Sequence, residues 1–408
     1  MSERAHKSVF NTTLLVVGLG YFIDCFDLFL YNALRTPSLR DLGLDGDAIT
    51  KTGIWILNIQ VIGMLIGGLM WGIIGDKVGR KKALIGSVLV YSLGSLGCAF
   101  VYDVNIYAIL RFLTGIGLAG EIGLGAILVT ETIPDRKRDW GLMAYALFAY
   151  FGIMAANLMA QYVSWRYCYA IGGAVGLLLL MARMVLFESG LYEKLAKIKV
   201  PRGSIKLLFK KPDLLKRYIC CIFFAMPYYY MVNLLITFSP EIAKALGIAE
   251  PIKANIAIFI YSAAALIGTV LATLASRALQ KRVMALALFM SINAALAACY
   301  LTQHQPSATS FYILCGIMGA FNFYVLLLFT AVEQFGTNMR ATGGTSSLSI
   351  GRSTLVITTS VFLAFRGAGY DVLSSAALVG GIVFAIGFIC LLGLRETYHQ
   401  GMDFLEET

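Results

Sequence analysis

Five ionisable side chains stand out inside the long apolar stretches of this 408-residue chain, where charged groups are rare. They are Asp24, Asp27, Arg111, Glu121 and Arg352. A charge at the centre of a bilayer costs at least about 2.5 kcal/mol on insertion scales, so such groups indicate function. Carboxylates in that setting take up and release protons, and arginines pair with carboxylates or bind anions. The residue types therefore predict proton and anion chemistry inside an apolar interior.

Spacing predicts one ion pair among these residues. Asp24 and Asp27 are three residues apart and lie on one helix face. Asp27 and Arg111 each lie roughly 10 Å from the outer end of their predicted helices, at 1.5 Å per residue. An ion pair between them would lower the cost of burying either charge. Glu121 lies about 15 Å deeper than Arg111, so we expect no direct bond between those two.

The elements that position these residues are apolar runs long enough to cross a membrane. The chain is 59% hydrophobic and 14% charged, and soluble domains are about 25% charged. The first run has no signal-peptide cleavage site, and we expect it to be retained. We predict an all-α integral membrane protein with twelve helices, at 9–34, 52–74, 83–101, 105–130, 140–163, 166–187, 216–240, 253–276, 282–301, 308–334, 342–366 and 371–394.

The helices fall into two sets of six. We predict an N-terminal bundle at 1–187, a polar linker at 188–215, a C-terminal bundle at 216–394 and a tail at 395–408. With both termini in the cytoplasm, the inner segments hold 23 Lys and Arg and the outer loops 7. Basic residues concentrate in cytoplasmic loops, so this ratio favours that topology. The net charge of +10 therefore reflects the orientation of the protein in the membrane and does not indicate nucleic-acid binding.

The loop between the second and third helices carries the clearest motif. It reads Gly72-Ile-Ile-Gly-Asp76-Lys-Val-Gly79-Arg80-Lys-Lys and resembles the G-x3-D-x2-G-R-(K/R) signature of the major facilitator superfamily. The resemblance implies that Asp76 binds the start of the eleventh helix, whose positive end favours an anion. We expect Gly72, Asp76, Gly79, Arg80, Glu131 and Arg136 to form a cytoplasmic gate.

Further motifs resemble the sugar-porter and metabolite–proton symporter branch. They are the Arg111-x3-Gly-x-Gly element, Glu131-x2-Pro with the arginines that follow it, Trp165-Arg166, Glu188-Ser189, and the motifs at Glu333 and Arg340 in the loop between the tenth and eleventh helices. The second-half copy of the loop signature, at 276–282, lacks the Asp and the Gly. The fifth helix lacks the drug-antiporter signature, and the seventh lacks the glutamine pair of sugar porters.

The resemblance implies proton-coupled symport. In that branch an Asp of the first helix and an Arg of the fourth carry the coupling, and Asp27 and Arg111 match them. Asp24 is the alternative proton carrier, and Glu121 has either a second proton-binding or substrate role or a structural one. The substrate we favour is a small organic acid. A neutral or zwitterionic solute, such as a polyol, sugar or amino acid, and proton-antiport export stay open.

Polar and aromatic residues along the helices are candidates for a substrate cavity. They are Asn58, Gln60, Asn157, Gln161, Tyr228, Tyr229, Asn233, Asn322, Tyr324 and Arg352. Pro227 predicts a break in the seventh helix. We expect that the protein is not an enzyme and that it has no disulfide, no metal site and no cofactor other than the proton. We also expect no nucleic-acid partner. The expected partners are a small-molecule substrate and the lipid of a bacterial inner membrane, with the protein as a monomer.

Overall fold

The structure is a computed structural model that describes residues 12–134, 137–184, 188–198, 200–304 and 306–406. Helices build this part of the chain, and no strand occurs in it. Eleven of its helical segments are long and apolar enough to cross a membrane. This confirms the all-α membrane architecture. At the remaining predicted span, 83–101, the structure has the helix Arg80–Cys98, which begins with three basic residues, and the count of twelve stays a prediction.

Contacts divide the chain into two compact units. The first holds residues 1–211, 331–350 and 401–408, and the second holds 212–330 and 351–400. The helices of the first unit are α1 (Thr12–Asp41), α2 (Asp47–Val78), α3 (Arg80–Cys98), α4 (Val104–Thr132), α5 (Arg138–Tyr162), α6 (Trp165–Met184), α7 (Gly190–Ala196) and α8 (Ile205–Lys210).

Inside the first unit, α4 is the central helix. It packs against α2 and α3, while α1 packs against α5 and α3 against α6. A π-helical turn at Ala341–Thr345 also packs on α2 and α4. The last described residues, 401–406, belong to this unit as well. The short helices α7 and α8 lie in the segment that the sequence predicts as a polar linker.

The second unit contains more interrupted helices. Its elements are α9 (Pro212–Phe223), α10 (Met226–Tyr229), a π-helical turn (Tyr230–Ile236), α11 (Ser239–Ala245), α12 (Ala254–Leu279), α13 (Arg282–Leu301), α14 (Ala308–Ala320), α15 (Tyr324–Glu333), α16 (Ser346–Gly367, whose first residues belong to the first unit) and α17 (Val372–Leu391). Here α12 packs on α14, and α13 on α17.

Two predicted helices of this unit are not continuous. The seventh predicted helix is interrupted between α9 and α10, just before Pro227, and becomes π-helical after α10. This agrees with the break expected at that proline. The tenth was expected to be continuous over 308–334, but it is interrupted at residues 321–323 between α14 and α15. Broken backbone inside a membrane protein needs internal hydrogen bonds and commonly lines functional sites.

Candidate functional site

Asp27 and Arg111 form a buried ion pair between α1 and α4. Nη1 of Arg111 lies 3.0 Å from Oδ2 of Asp27, and the two side chains are 0% and 1% exposed. Ser95 of α3 donates a 2.5 Å hydrogen bond to the other carboxylate oxygen. Nε of Arg111 donates to Gln60 of α2 at 3.3 Å. Four helices therefore meet at this pair, at the shared depth that the sequence predicts.

Aromatic rings surround the guanidinium of Arg111. The rings of Tyr31 and Tyr169 lie 5.2 and 5.4 Å from its central carbon, within cation–π range. The hydroxyls of Tyr107 and Tyr169 are 2.8 Å apart. This shell belongs to a cluster of buried hydrophobic residues and keeps water away from the pair, which strengthens its electrostatic interaction.

Asp24 is completely buried one turn from Asp27 on α1. The thiol of Cys25 lies 3.8 Å from its Oδ2 atom as a hydrogen-bond donor. Asp24 is therefore a second carboxylate inside the same unit, as the sequence predicts, and the choice of proton carrier between it and Asp27 stays open.

Glu121 has a partner that the sequence did not predict. Arg183 of α6 holds it in a two-bond ion pair, with Nη1–Oε1 and Nη2–Oε2 both 2.6 Å. Both side chains are 0% exposed, and Ser87 donates to Oε1 at 3.2 Å. The sequence signal was the presence of Arg183 in an apolar helix. Nothing in the sequence indicates that α6 brings it to Glu121.

The second-helix motif binds the start of the eleventh helix within the first unit. Oδ1 and Oδ2 of Asp76 accept hydrogen bonds from the backbone N–H groups of Ala341 and Thr342, at 3.1 and 2.8 Å. A Cβ atom at Gly72 would lie 2.7 Å from the Ala341 oxygen, so only glycine permits this approach. Arg80 lies 3.3 Å from the same carboxylate.

The other gate residues form a charged network next to Asp76. Glu131 is paired with Arg80 at 3.3 Å and with Arg340 at 2.8 Å, and Ser189 also donates to it. Nη2 of Arg80 donates to the Thr337 carbonyl at 2.8 Å. All three charged side chains are 0% exposed. Arg340 belongs to this network although the candidate set did not include it, and Arg136 lies outside the described residues.

Gly79 ends α2 in a conformation that favours glycine, with φ of 122°. The turn lets Glu188 accept hydrogen bonds from the backbone N–H groups of Arg80 and Lys81, at 3.0 and 3.2 Å. Glu188 thus satisfies the free donors at the start of α3. This explains why glycine stands at that point of the motif.

The tyrosines of the second unit form an aromatic cluster. The Tyr228 ring lies 4.9 Å from Tyr324, 5.1 Å from Tyr229 and 5.9 Å from Phe323. Asn322 lies in the break of the tenth helix, where its Oδ1 accepts a 2.9 Å hydrogen bond from the Tyr324 N–H. The cluster therefore lies beside both interrupted helices.

The other cavity candidates are in varied surroundings. Gln60 binds Arg111, so it belongs to the ion-pair site. The amides of Asn157 and Asn233 bond to carbonyls of their own helices, at 2.9 and 3.2 Å. Asn58 is half-buried and Gln161 exposed. Arg352 is 9% exposed in the second unit. Their roles in binding stay predictions.

Comparison with known proteins agrees with this architecture. Residues 17–351 match the sequence profile of the Major Facilitator Superfamily. The fold is similar to that of the proton:xylose symporter XylE, with a TM-score of 0.72 and 18% identity over 96% of this chain and 97% of that one. The E. coli fucose:proton symporter FucP gives a TM-score of 0.68 at 16% identity, over 93% and 97%.

Two bacterial relatives are similar in sequence. The niacin transporter NiaP of Acinetobacter baylyi is 32% identical over 40% of this chain and 38% of its own length. The 4-hydroxybenzoate transporter PcaK of Pseudomonas putida is 30% identical over 42% and 38%. The chain thus spans less than half the length of either relative.

The chain belongs to the Major Facilitator Superfamily. It is therefore a multi-pass membrane protein and not an enzyme. Its bacterial relatives agree with a place in the plasma membrane.

Proposed function

We propose that this protein is a proton-coupled symporter of a small organic acid that works by alternating access. The observation that carries the proposal is the buried Asp27–Arg111 pair. Protonation of Asp27 removes the negative charge that compensates the guanidinium. The balance between conformations then depends on whether the proton is bound, which is the requirement for coupling.

The gate supports alternation as the mechanism. Asp76 binds the backbone at the start of the eleventh helix, and Glu131 holds Arg80 and Arg340 together. These contacts are charge-assisted and buried, so they stabilise one arrangement strongly as long as they are all made. We infer that they act as a latch that must open in each transport cycle, with both chain termini and the latch on the cytoplasmic side.

A substrate with a ring and a carboxylate fits the proposal best. Niacin and 4-hydroxybenzoate, named for the two relatives, both have an aromatic ring and a carboxylic acid group. In the second unit, the cluster of Tyr228, Tyr229 and Tyr324 offers ring faces for stacking. Arg352 in that unit is a candidate partner for the carboxylate.

Uptake into proteoliposomes tests the function. We expect nicotinate or 4-hydroxybenzoate to accumulate when the outside is acidic, together with proton entry. Asp27→Asn should abolish accumulation while part of the substrate exchange at equal pH remains. Asp45→Asn, the same change on an exposed carboxylate of the first unit, should behave as wild type.

The outcomes separate the alternatives. Accumulation only of a polyol, a sugar or an amino acid would replace the organic acid by a neutral or zwitterionic solute. Substrate-driven proton movement in the opposite direction would show export by antiport. Full proton-driven accumulation by Asp27→Asn would remove Asp27 from the coupling mechanism.

A further inference from the structure

A groove of about 670 Å³ lies in the first unit, where the start of α3, the end of α6 and helix α7 come together. Its lining combines lysines with apolar side chains, among them Lys81, Lys82, Lys197, Val78, Ile85 and Met184. A ligand that fills this groove needs an anionic part for the lysines and an apolar part for the rest of the wall.

The apolar part of the groove continues along two long helices. On α3, Leu89 follows Ile85 by four residues, and on α6, Met181 precedes Met184 by three, so each pair shares one helix face. Leu89, Met181 and Met184 are exposed. Exposed apolar faces of this kind on membrane helices contact the acyl chains of lipids. The groove is therefore open to the hydrocarbon region of the bilayer.

The charges that line the groove leave one positive charge to be balanced. Three lysines stand against two carboxylates, Glu188 and Glu193. Glu188 is fixed by the hydrogen bonds that it accepts from the backbone N–H groups of Arg80 and Lys81. Nζ of Lys81 donates to the Met184 carbonyl at 2.9 Å and joins α3 to the end of α6. A single phosphodiester, which carries one negative charge, would balance the groove.

The second unit contains a groove of the same construction, of about 580 Å³. The start of α13 and the end of α17 form it, and Glu396 accepts hydrogen bonds from the backbone N–H groups of Arg282 and Val283, at 2.6 and 3.2 Å, as Glu188 does at α3. Of the described residues that line this groove, Lys281 is the single lysine, and its charge balances that of Glu396. The excess positive charge therefore distinguishes the first groove from its counterpart.

We propose that the groove of the first unit binds an anionic phospholipid with one phosphodiester and no cationic group, such as phosphatidylglycerol. The phosphate accepts hydrogen bonds from Lys82 and Lys197, which are both exposed. The acyl chains lie along the exposed apolar faces of α3 and α6. The predicted topology places this end of α3 at the cytoplasmic surface, where basic pockets between membrane helices bind anionic headgroups. This site does not depend on the proposed symport.

Native mass spectrometry of the full chain in detergent tests the site with phosphatidylglycerol and phosphatidylethanolamine as probes. We expect the wild type to bind one molecule of phosphatidylglycerol more tightly than phosphatidylethanolamine, because the lysines repel the ammonium group of the latter. Each lysine should contribute about 5-fold to the affinity. Lys82→Gln/Lys197→Gln should therefore weaken phosphatidylglycerol binding by about 25-fold, with little effect on phosphatidylethanolamine.

Two controls make this result specific to the groove. Lys206→Gln/Lys210→Gln removes two exposed lysines of α8, and Lys281→Gln removes the lysine of the counterpart groove; both variants should keep the wild-type affinity for phosphatidylglycerol. Equal affinity of the wild type for the two lipids would overturn the proposal. So would unchanged phosphatidylglycerol binding by Lys82→Gln/Lys197→Gln, or an equal loss in either control, which would indicate unspecific attraction to basic surface.

Discussion

The latch at Asp76 makes a quantitative prediction. Asp76→Asn keeps the shape of the side chain but replaces one acceptor oxygen with an NH2 group. In the structure both oxygens accept a backbone N–H, from Ala341 at 3.1 Å and from Thr342 at 2.8 Å. The single amide oxygen of asparagine can accept only one of these two hydrogen bonds. Its NH2 group would then face the other backbone N–H, which is also a donor. Arg80, 3.3 Å from the carboxylate, also loses a charged partner.

The size of the effect follows from these contacts. A hydrogen bond to a charged group contributes about 1.5–3 kcal/mol, and a carboxylate at a helix start about 0.3–1 kcal/mol more. One bond and the charge are lost, so the closed latch should weaken by about 2–4 kcal/mol. At 1.36 kcal/mol per factor of ten, this is roughly a 30- to 1,000-fold change in the latch equilibrium.

Hydrogen–deuterium exchange measures this change directly. The amides of Ala341 and Thr342 are protected while they donate to Asp76, so Asp76→Asn should speed their exchange by up to that factor. Asp103 offers a matched control, because it also accepts two backbone N–H groups at a helix start, from Asn105 and Ile106 at 2.8 and 3.0 Å.

The control separates the latch from a general loss of a helix cap. Asp103→Asn should loosen only the start of α4 and leave the exchange of peptides around residue 341 unchanged. Asp76→Asn should also slow transport while ligand binding persists. Wild-type protection at residues 341 and 342 in Asp76→Asn would refute the reasoning, since the backbone bonds would then contribute nothing to closure.

Three further substitutions have defined outcomes. Arg340→Gln leaves Glu131 with one cation fewer in a buried network, so thermal unfolding should show a free energy of unfolding lower by about 3–5 kcal/mol. An unchanged unfolding midpoint would contradict this role of Arg340. Gly20→Ala should lower the free energy of unfolding by about 1–3 kcal/mol, because a Cβ atom there would clash with Nη2 of Arg183. Gly381→Ala, in open space, should be neutral or stabilising in the same assay. Tyr228→Ala should weaken nicotinate binding about 2- to 10-fold in calorimetry, from the loss of about 0.5–1.5 kcal/mol of ring stacking, and equal affinity would remove the aromatic cluster from the binding site.

The sequence by itself determined the features that depend on position within one helix. Apolar runs of about 20 residues predicted the membrane helices, and the described part of the chain has eleven such segments. The depth of Asp27 and Arg111 followed from the rise per residue, and their 3.0 Å contact agrees with it. The resemblance of the second-helix motif to that of the superfamily implied that Asp76 binds the start of the eleventh helix, and its hydrogen bonds to residues 341 and 342 agree with that.

Only the tertiary structure decided which side chains meet across helices. Helix geometry fixes the depth and face of a residue but not the helix opposite, so the partner of Glu121 could not be read from the chain. Arg183 reaches it because α6 packs on α3, which packs on α4. The break of the tenth helix at residues 321–323 was also missed. Asn293 and Asn322 replace the lost backbone bonds there, at 2.8 and 2.9 Å, and such compensation exists only once the helices have packed.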